Sequence, residues 1–376
     1  MCLTPRLVYG QRENGFRLSL CLYHKSTDNL NMKRILFLSV LLLIILSNCK
    51  TSETATIAEE DESLVPVEEI LPFIQETGEK LPVTAFKEVW GYVISGQEAA
   101  LKKEIPLTDV GYFGAEVDMY GTLANVPRRQ NLASFTGRVH LVVTCGNYAL
   151  TYFTLLPGSP QRKQLINDLI TATRNFDGLN IDFENIPSRS SEAFLSFLRE
   201  LKQGLPAEKI FSVCLYGRPR KFQNDVYDYE IITPLADKIF VMAYDEHWGG
   251  GPPGPVASLR WCRSVASHSM RTIGEKKLVM GIPLYGRAWE SQNHSRALIF
   301  PTIEKLISTH HVKDIKHDNG IPTFEYKPDV TVKVYYEDEY SVSARLVMYK
   351  SMDINAVGFW RIGQESPKIW NLLKVE

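Results

Sequence analysis

Short apolar segments alternate with amphipathic segments along most of the chain after residue 87. Several of the apolar segments are nearly continuous hydrophobic runs, which is typical of strands that are buried on both faces. Alternating strands and helices predict a parallel sheet, and eight strands favour a closed (β/α)8 barrel, although periodicity alone leaves a doubly wound sheet open. The predicted strands are Val89–Ile94, Asp109–Phe113, Val139–Thr144, Gly178–Phe183, Ile210–Leu215, Lys238–Ala243, Leu278–Pro283 and Ala356–Trp360.

Helices are indicated where apolar side chains recur at three- and four-residue steps. This spacing occurs in Gln161–Asn175 and in Ser191–Gln203. We therefore predict an α/β fold, a (β/α)8 TIM barrel that occupies residues 87–376.

The segment between the seventh and eighth predicted strands is longer than a simple connection needs. Within it, Phe324–Tyr326 and Val330–Tyr336 are typical of short strands, and Pro301–Thr309 is typical of a helix. The sequence thus predicts a small α+β insertion at about 288–342, on the loop side of the barrel.

The amino-terminal part has the layout of an export signal. A basic start at Met32 precedes an almost wholly apolar run, Ile35 to Leu46, which is followed by Cys49. The run is shorter than the ~20 residues that span a bilayer. It resembles a bacterial lipoprotein signal in which Cys49 is lipidated, although Asn48 stands where a small residue is usual. An ordinary secretory signal or an uncleaved anchor is the alternative.

These features divide the amino-terminal residues into three predicted segments. Residues 1–31 precede Met32 without any comparable pattern, and we interpret them as an upstream extension. Residues 32–49 form the signal peptide, and residues 50–86, rich in Glu, Ser and Thr, form a flexible linker. We expect an exported lipoprotein that is anchored in the membrane of a bacterial cell envelope, or else a secreted protein.

Charge and cysteine content restrict the possible partners. The net charge is −1, which gives no electrostatic basis for binding nucleic acid. Of the six cysteines, Cys145, Cys214 and Cys262 lie in the barrel, and no C-x-x-C spacing exists. We interpret these three as buried free thiols rather than as a disulfide framework or a metal site.

The strongest chemical signal lies in the fourth predicted strand. Side chains of a strand alternate between its faces, so Asn180, Asp182 and Glu184 share the face that points into the barrel. Three polar groups on an inward face are costly unless they are paired or functional. Glu184 falls at the carboxyl end of the strand, where active sites of such barrels lie.

This stretch resembles the D-G-x-D-x-D-x-E signature of family 18 glycoside hydrolases, with Asn180 in place of the middle aspartate. The same asparagine is found in bacterial peptidoglycan-acting relatives of the spore-cortex-lytic kind and in lysosomal di-N-acetylchitobiase. The resemblance covers roughly Glu88 to Leu373. Three later segments resemble further family motifs in the right order: Met242–Asp245 (M-x-Y-D), Gly281–Arg287 (G-x-P-x-Y-G-R) and Gly358–Trp360.

The resemblance implies a retaining, substrate-assisted mechanism. Glu184 would act as general acid and then as base, Asp182 would hold the acetamide N–H, and Tyr244 would bind the acetamide oxygen. It implies no cofactor and no metal. Further substrate-binding residues are implied by the family resemblance or lie near its motifs: Asn180, Asp245, Trp360, Tyr92, Tyr285, Arg287 and Trp248. For Arg287 a structural ion pair is the alternative role.

The asparagine leads to a specific expectation. Two adjacent buried carboxylates resist double ionisation, whereas an amide removes this repulsion and can donate a hydrogen bond. We therefore expect Asp182 to be more permanently ionised here than in family members that have the middle aspartate.

The substrate is less clearly indicated than the chemistry. Trp248, with the Gly- and Pro-rich loop behind it, looks most like the peptidoglycan-acting branch. The favoured substrate is the β-1,4 bond on the reducing side of N-acetylglucosamine in peptidoglycan or its fragments. We expect the protein to act as a monomer. Chitin oligosaccharides and N-glycan cores remain open.

Two alternatives belong to other classes of protein. The first is a non-catalytic glycan-binding barrel, although such family members typically lose the acid glutamate that Glu184 supplies here. The second is a metal-dependent hydrolase that uses Asp182, Glu184, Asp245 and His247 as ligands of a hard cation, without any H-x-H or H-E-x-x-H motif.

Overall fold

The computed structural model describes residues 80–291, 294–327 and 330–376. Its strands are β1 (Thr84–Phe86), β2 (Glu88–Ile94), β3 (Asp109–Val117), β4 (Leu123–Ala124), β5 (Arg138–Cys145), β6 (Gly178–Phe183), β7 (Ile210–Tyr216), β8 (Lys238–Met242), β9 (Leu278–Pro283), β10 (Gly286–Ser291), β11 (His294–Leu298), β12 (Lys316–Asp318), β13 (Ile321–Tyr326), β14 (Val332–Tyr335), β15 (Ala356–Trp360) and β16 (Leu373–Val375). Its α-helices are α1 (Tyr148–Thr154), α2 (Pro160–Thr173), α3 (Ser191–Gly204), α4 (Tyr229–Ile232), α5 (Leu259–Thr272), α6 (Phe300–Thr309) and α7 (Glu339–Ser351).

Eight parallel strands close into a barrel. The order around it is β2-β15-β9-β8-β7-β6-β5-β3, and β3 also pairs with β2, so the sheet has no free edge there. Each predicted strand coincides with one of these eight within a few residues, and the predicted TIM barrel is confirmed. The short strand β4 adds to β3 in the antiparallel direction.

Two apolar layers hold the barrel together. Alternate residues of the strands face the helices; among them are Leu179, Ile181 and Phe183 of β6, which are buried. The Phe183 ring stacks on Phe197 of α3 with the ring centroids 5.5 Å apart. Burial of this kind is worth roughly 25 cal/mol per Å² of apolar surface, which makes it the main stabilising term of the fold. Inside the barrel a smaller apolar cluster contains Trp90, Tyr92, Val142, Cys214, Phe240, Met242, Val279 and Ala356.

The insertion between β9 and β15 is a small α+β unit. Its five antiparallel strands lie in the order β11-β10-β14-β13-β12, and α6 packs on them through its own apolar cluster. The predicted strands and helix of this segment correspond to β13, β14 and α6, and the insertion is confirmed. The sequence analysis missed β10, β11 and β12.

Two findings concern the remaining predictions on this part of the chain. Cys145, Cys214 and Cys262 are free and buried, as predicted. No helix in the described ranges combines the length and apolarity needed to cross a membrane. The predicted extension, signal peptide and lipidated Cys49 lie outside the described residues, as does the predicted linker up to residue 79.

Candidate active site

Asn180 forms the floor of the site at the middle of β6. Its side chain is fully buried and its oxygen accepts hydrogen bonds from the Tyr92 hydroxyl (3.1 Å) and the Cys214 thiol (3.2 Å). Its Nδ2 donates to Oγ of Ser212 at 2.8 Å. The amide thus donates a hydrogen bond, as the sequence analysis allowed, and its acceptor is on β7.

Asp182 lies one step further along the same face and is 8% exposed. Its Oδ1 has no hydrogen-bond partner among the described residues. Burial first and the negative charge of Glu184 second raise the pKa of this carboxyl to about 7, against a smaller opposing effect of the Cys214 thiol. In the protein without substrate, Asp182 is therefore partly protonated at neutral pH, and the expected difference from family members that have the middle aspartate stays a prediction.

Glu184 follows at the end of the strand and is half-buried. Its amide donates to the Cys145 carbonyl at 3.1 Å, and its Oε2 accepts a hydrogen bond from the Tyr216 hydroxyl at 3.2 Å. Burial raises the pKa of Glu184, Tyr216 opposes that shift, and the charge of Asp245 adds to it. A carboxyl with a raised pKa holds its proton to a higher pH than an ordinary glutamic acid does, which suits a proton donor.

An aromatic wall stands beside the two acids. The ring of Trp360, at the end of β15, packs edge-on against Tyr92 (5.6 Å between centroids) and Phe113 (5.1 Å), and it is partly exposed. Tyr244 lies over Gly281, where a Cβ would come within 3.0 Å of its ring. Burial raises the pKa of Tyr244 well above its ordinary value, so its hydroxyl remains a hydrogen-bond donor.

Asp245 is held at the rim of the site by two neighbours. It has a left-handed backbone (φ 58°), and its Oδ1 accepts from the Tyr285 hydroxyl at 2.7 Å and from Nη2 of Arg287 at 3.1 Å. Arg287 therefore makes the ion pair that the sequence left as an alternative role. Asp245 itself is exposed and can still receive a ligand.

The loop that follows Asp245 is built on internal contacts. Glu246 accepts from the Ser258 amide at 2.7 Å, and a ring nitrogen of His247 bonds the Pro255 carbonyl at 2.8 Å. Trp248 stands 62% exposed above Gly250. The described contacts do not connect Trp248 to the acids.

Metal binding finds no support in this geometry. Within the described part of the chain, no three His, Cys, Asp or Glu side chains are grouped so that they could share an ion. His247, one of the four ligands considered in the sequence analysis, already uses a ring nitrogen in its own loop.

Known proteins show the same fold and sequence pattern. The family profile described as "Glycosyl hydrolases family 18" matches residues 111–365. The chain belongs to glycosyl hydrolase family 18. It is therefore a glycoside hydrolase, and members of this family act on glycans that contain N-acetylglucosamine.

The two relatives described next share less than a third of the aligned residues with this chain. The chain is 31% identical over 225 residues to the uncharacterized glycosylase YvbX of Bacillus subtilis, covering 57% of this chain and 65% of that protein. It is 28% identical over 290 residues to a cortical fragment-lytic enzyme of Bacillus anthracis, covering 71% and 67%. The chain thus spans about two thirds of the length of these relatives.

The fold resembles solved family 18 structures. The spore cortex-lytic enzyme SleL of Bacillus cereus superposes with a TM-score of 0.68 at 22% identity, covering 78% of this chain and 76% of the other. A chitinase of Chromobacterium violaceum gives 0.68 at 19% identity, covering 76% and 97%. These two likenesses concern the fold alone.

The sequence analysis missed four residues of this family 18 site. Phe113 supports Trp360, and the others, Ser212, Cys214 and Tyr216, lie along one face of β7. The two-residue alternation along β7 is the signal that could have found the latter three, since it places them beside the polar face of β6.

Proposed function

We propose that this protein hydrolyses the β-1,4 bond on the reducing side of N-acetylglucosamine in peptidoglycan or its fragments. The observation that carries the proposal is the buried Asp182 oxygen without a partner. Asp182 interacts electrostatically with Glu184 and Tyr244, and Asn180 on the same strand face bonds Tyr92, against which Trp360 packs. A buried polar atom of this kind is costly unless a donor satisfies it. The acetamide N–H of an amino sugar resting on Trp360 is a donor of suitable chemistry.

Binding of that donor would move a proton between the two acids. Asp182 and Glu184 interact and titrate as a pair, and in the free protein the proton favours Asp182 because its pKa is raised to about 7. A hydrogen bond from the acetamide favours the ionised form of Asp182. The resulting charge raises the pKa of Glu184, which then holds the proton at the end of the strand.

The reaction would then proceed in two steps. Glu184 gives its proton to the glycosidic oxygen as the bond to the anomeric carbon breaks, and the acetamide oxygen bonds that carbon to form an oxazolinium ion. Water then attacks the same carbon while Glu184 takes a proton from it, and the acetamide is restored with retained configuration. The Tyr244 hydroxyl would donate to the acetamide oxygen and orient it for attack.

The choice of peptidoglycan rests on the relatives. The relative from Bacillus anthracis is named for the lysis of cortical fragments, and the chain matches it over 71% of its own length. We take the peptidoglycan of the spore cortex as the corresponding glycan. Chitin oligosaccharides and N-glycan cores offer the same N-acetylglucosamine to the pocket. They are therefore the competing substrates in the test.

The test is mass spectrometry of the products released from peptidoglycan fragments, chitin oligomers and an N-glycan. We expect new reducing ends on N-acetylglucosamine from the peptidoglycan fragments, with the β-anomer formed first. Glu184→Gln should lower turnover by roughly 10²–10⁴-fold while the protein stays folded. The matched control is Glu192→Gln, an exposed glutamate at the start of α3. Full turnover by Glu184→Gln, or reaction of N-glycans alone, would disprove the proposal.

We also propose that the enzyme is exported and anchored through a lipid on Cys49. The support is the sequence pattern of residues 32–49. Cys49→Ala should move the protein from the membrane fraction to the soluble fraction or stop its processing. Unchanged membrane association and processing of that variant would contradict the anchor.

A further inference from the structure

Two arginine–aromatic pairs lie on the segments that follow β5, β6 and β7, the strand of Glu184 and its two neighbours. The guanidinium carbon of Arg189 lies 4.4 Å from the centroid of the Tyr152 ring. That of Arg220 lies 4.9 Å from the centroid of the Phe222 ring. All four side chains are exposed, so each pair presents a cation that is supported by a ring.

A contact connects the first pair to the acid, and sequence position places the second pair close to it. Oγ1 of Thr151, the neighbour of Tyr152, donates to the carbonyl of Asn185 at 3.2 Å, and Asn185 directly follows Glu184. Arg220 stands four residues beyond Tyr216, whose hydroxyl donates to Glu184. The segments that hold the four side chains follow the carboxyl ends of β5, β6 and β7, so the pairs lie at the same end of the barrel as the acid.

The order of strands indicates which part of a substrate would meet these pairs. Trp360 ends β15, which lies four strands from β6 in either direction around the barrel. The sugar that keeps the anomeric carbon would rest on Trp360, with Glu184 at its far side. The leaving sugar would then extend beyond Glu184, over the loops that carry Arg189 and Arg220.

The two arginines differ from the other cations of the loop after β7. Arg218 bonds Asp225 at 2.7 Å, and Lys221 pairs with Glu230. No acidic side chain of the described ranges forms an ion pair with Arg189 or Arg220. A planar guanidinium that rests on a ring is already oriented for a bidentate carboxylate.

We propose that Arg189 and Arg220 bind carboxylate groups carried by the leaving sugar. This inference rests on the proposed function and makes it more specific, because it names an acidic amino-sugar polymer as the preferred substrate class. Two sources of carboxylate fit: the lactyl ether of a muramic acid, or the acidic residues of a stem peptide attached to it. Neutral chitin-type chains would lack this contact and react less efficiently.

Three substrates of equal length distinguish the sources. One is neutral chitotetraose, the second is an alternating N-acetylglucosamine–N-acetylmuramic acid tetrasaccharide with free lactyl groups, and the third carries stem peptides on those groups. Arg189→Gln, Arg220→Gln and the double variant would be compared with Arg174→Gln. Arg174 is exposed at the opposite end of the barrel and serves as the matched control.

The double variant should lose roughly tenfold in kcat/KM on at least one acidic substrate, mainly through KM, and less than twofold on chitotetraose. The natural protein's preference for acidic glycan should also weaken at high salt. A loss confined to the free lactyl substrate identifies the lactyl group, and one confined to the third identifies the peptide. Equal losses on acidic and neutral substrates, or no loss, would overturn the inference and leave the proposed function intact. Failure of the natural protein to cleave any of the three would instead count against the proposed function.

Discussion

Replacing Asp182 with asparagine should make the protein more stable at neutral and higher pH while it removes activity. Asp182 is 8% exposed and one of its oxygens has no hydrogen-bond partner in the described structure. Ionising such a group in the folded state is costly. Asparagine has nearly the same shape and cannot ionise.

The size of the effect follows from the pKa. The unfolded chain releases the proton near the ordinary pKa of 3.8, whereas the folded protein holds it until about pH 7. Below pH 3.8 the group contributes no pH dependence, because both states are protonated. As pH rises from there to about 7 the free energy of unfolding falls, by about 4 kcal/mol in total, and then stays level.

Asp182→Asn removes this loss but places an amide without partners in the same site, which costs about 1–3 kcal/mol. The variant should therefore gain a net of roughly 1–3 kcal/mol at pH 8 and be equal to or less stable than the natural protein at pH 4. Activity should fall by orders of magnitude at both values, since the amide oxygen can still accept from the acetamide N–H but cannot supply the negative charge that balances the oxazolinium ion.

Urea unfolding at pH 4 and pH 8 measures the difference directly. The matched control is Asp314→Asn, an exposed aspartate 3.7 Å from the Lys316 ammonium, where the same substitution should not alter the pH dependence of stability. If Asp182→Asn changes the free energy of unfolding by the same amount at both pH values, the carboxyl is not held protonated by burial and the reasoning fails.

Two further predictions concern the neighbours of the acids. Tyr216→Phe removes the hydrogen bond that stabilises ionised Glu184, so the pKa of Glu184 should rise further. The alkaline limb of the kcat/KM profile should then move to higher pH. An unchanged limb would count against this contact. Asn180→Asp adds a carboxylate beside Asp182, so the pKa of Asp182 should rise and stability at pH 8 should fall. Circular dichroism melts measure the stability, and pH–rate profiles measure the pKa. If neither the melting temperature nor the profile changes, the buried placement of Asn180 is contradicted.

The barrel strands could be predicted because their burial on both faces leaves continuous apolar runs. Helices were harder where they lack a one-sided apolar stripe. In α7 the residues from Ser341 to Leu346 are all buried, including two serines and an arginine, so the pattern shows no polar outer face. Arg345 can lie there because Glu337 pairs with it at 2.9 Å and its Nη2 donates to the Ala257 carbonyl at 2.7 Å. The second contact joins distant parts of the chain, so no periodicity predicts it. In the insertion, β11 is short and mostly exposed, so it leaves little hydrophobic pattern.

In the candidate site, too, the features set by local periodicity could be predicted, whereas those set by contacts between strands could not. Asn180, Asp182 and Glu184 could be placed on one face because a strand has a period of two residues. The direction of the Asn180 amide could not be predicted, since it depends on the pairing of β6 with β7, which aligns Asn180 with Ser212. Arg189, Arg220 and Phe222 lie outside the strands and α-helices, where no periodicity exists, and Tyr152 is an exposed residue of the short helix α1.

The pairing of β6 with its neighbours also explains how two acids can share this buried space. Around Asp182 the other polar groups are neutral: Asn180 is an amide, and burial raises the pKa of the Cys214 thiol and of the Tyr92 hydroxyl well above their ordinary values. The titration near neutral pH is therefore confined to Asp182 and Glu184. A third carboxylate at position 180 would spread the proton over three groups. With an amide there, any donor that satisfies Asp182 passes the proton to Glu184, the acid at the end of the strand, where a glycosidic oxygen would lie.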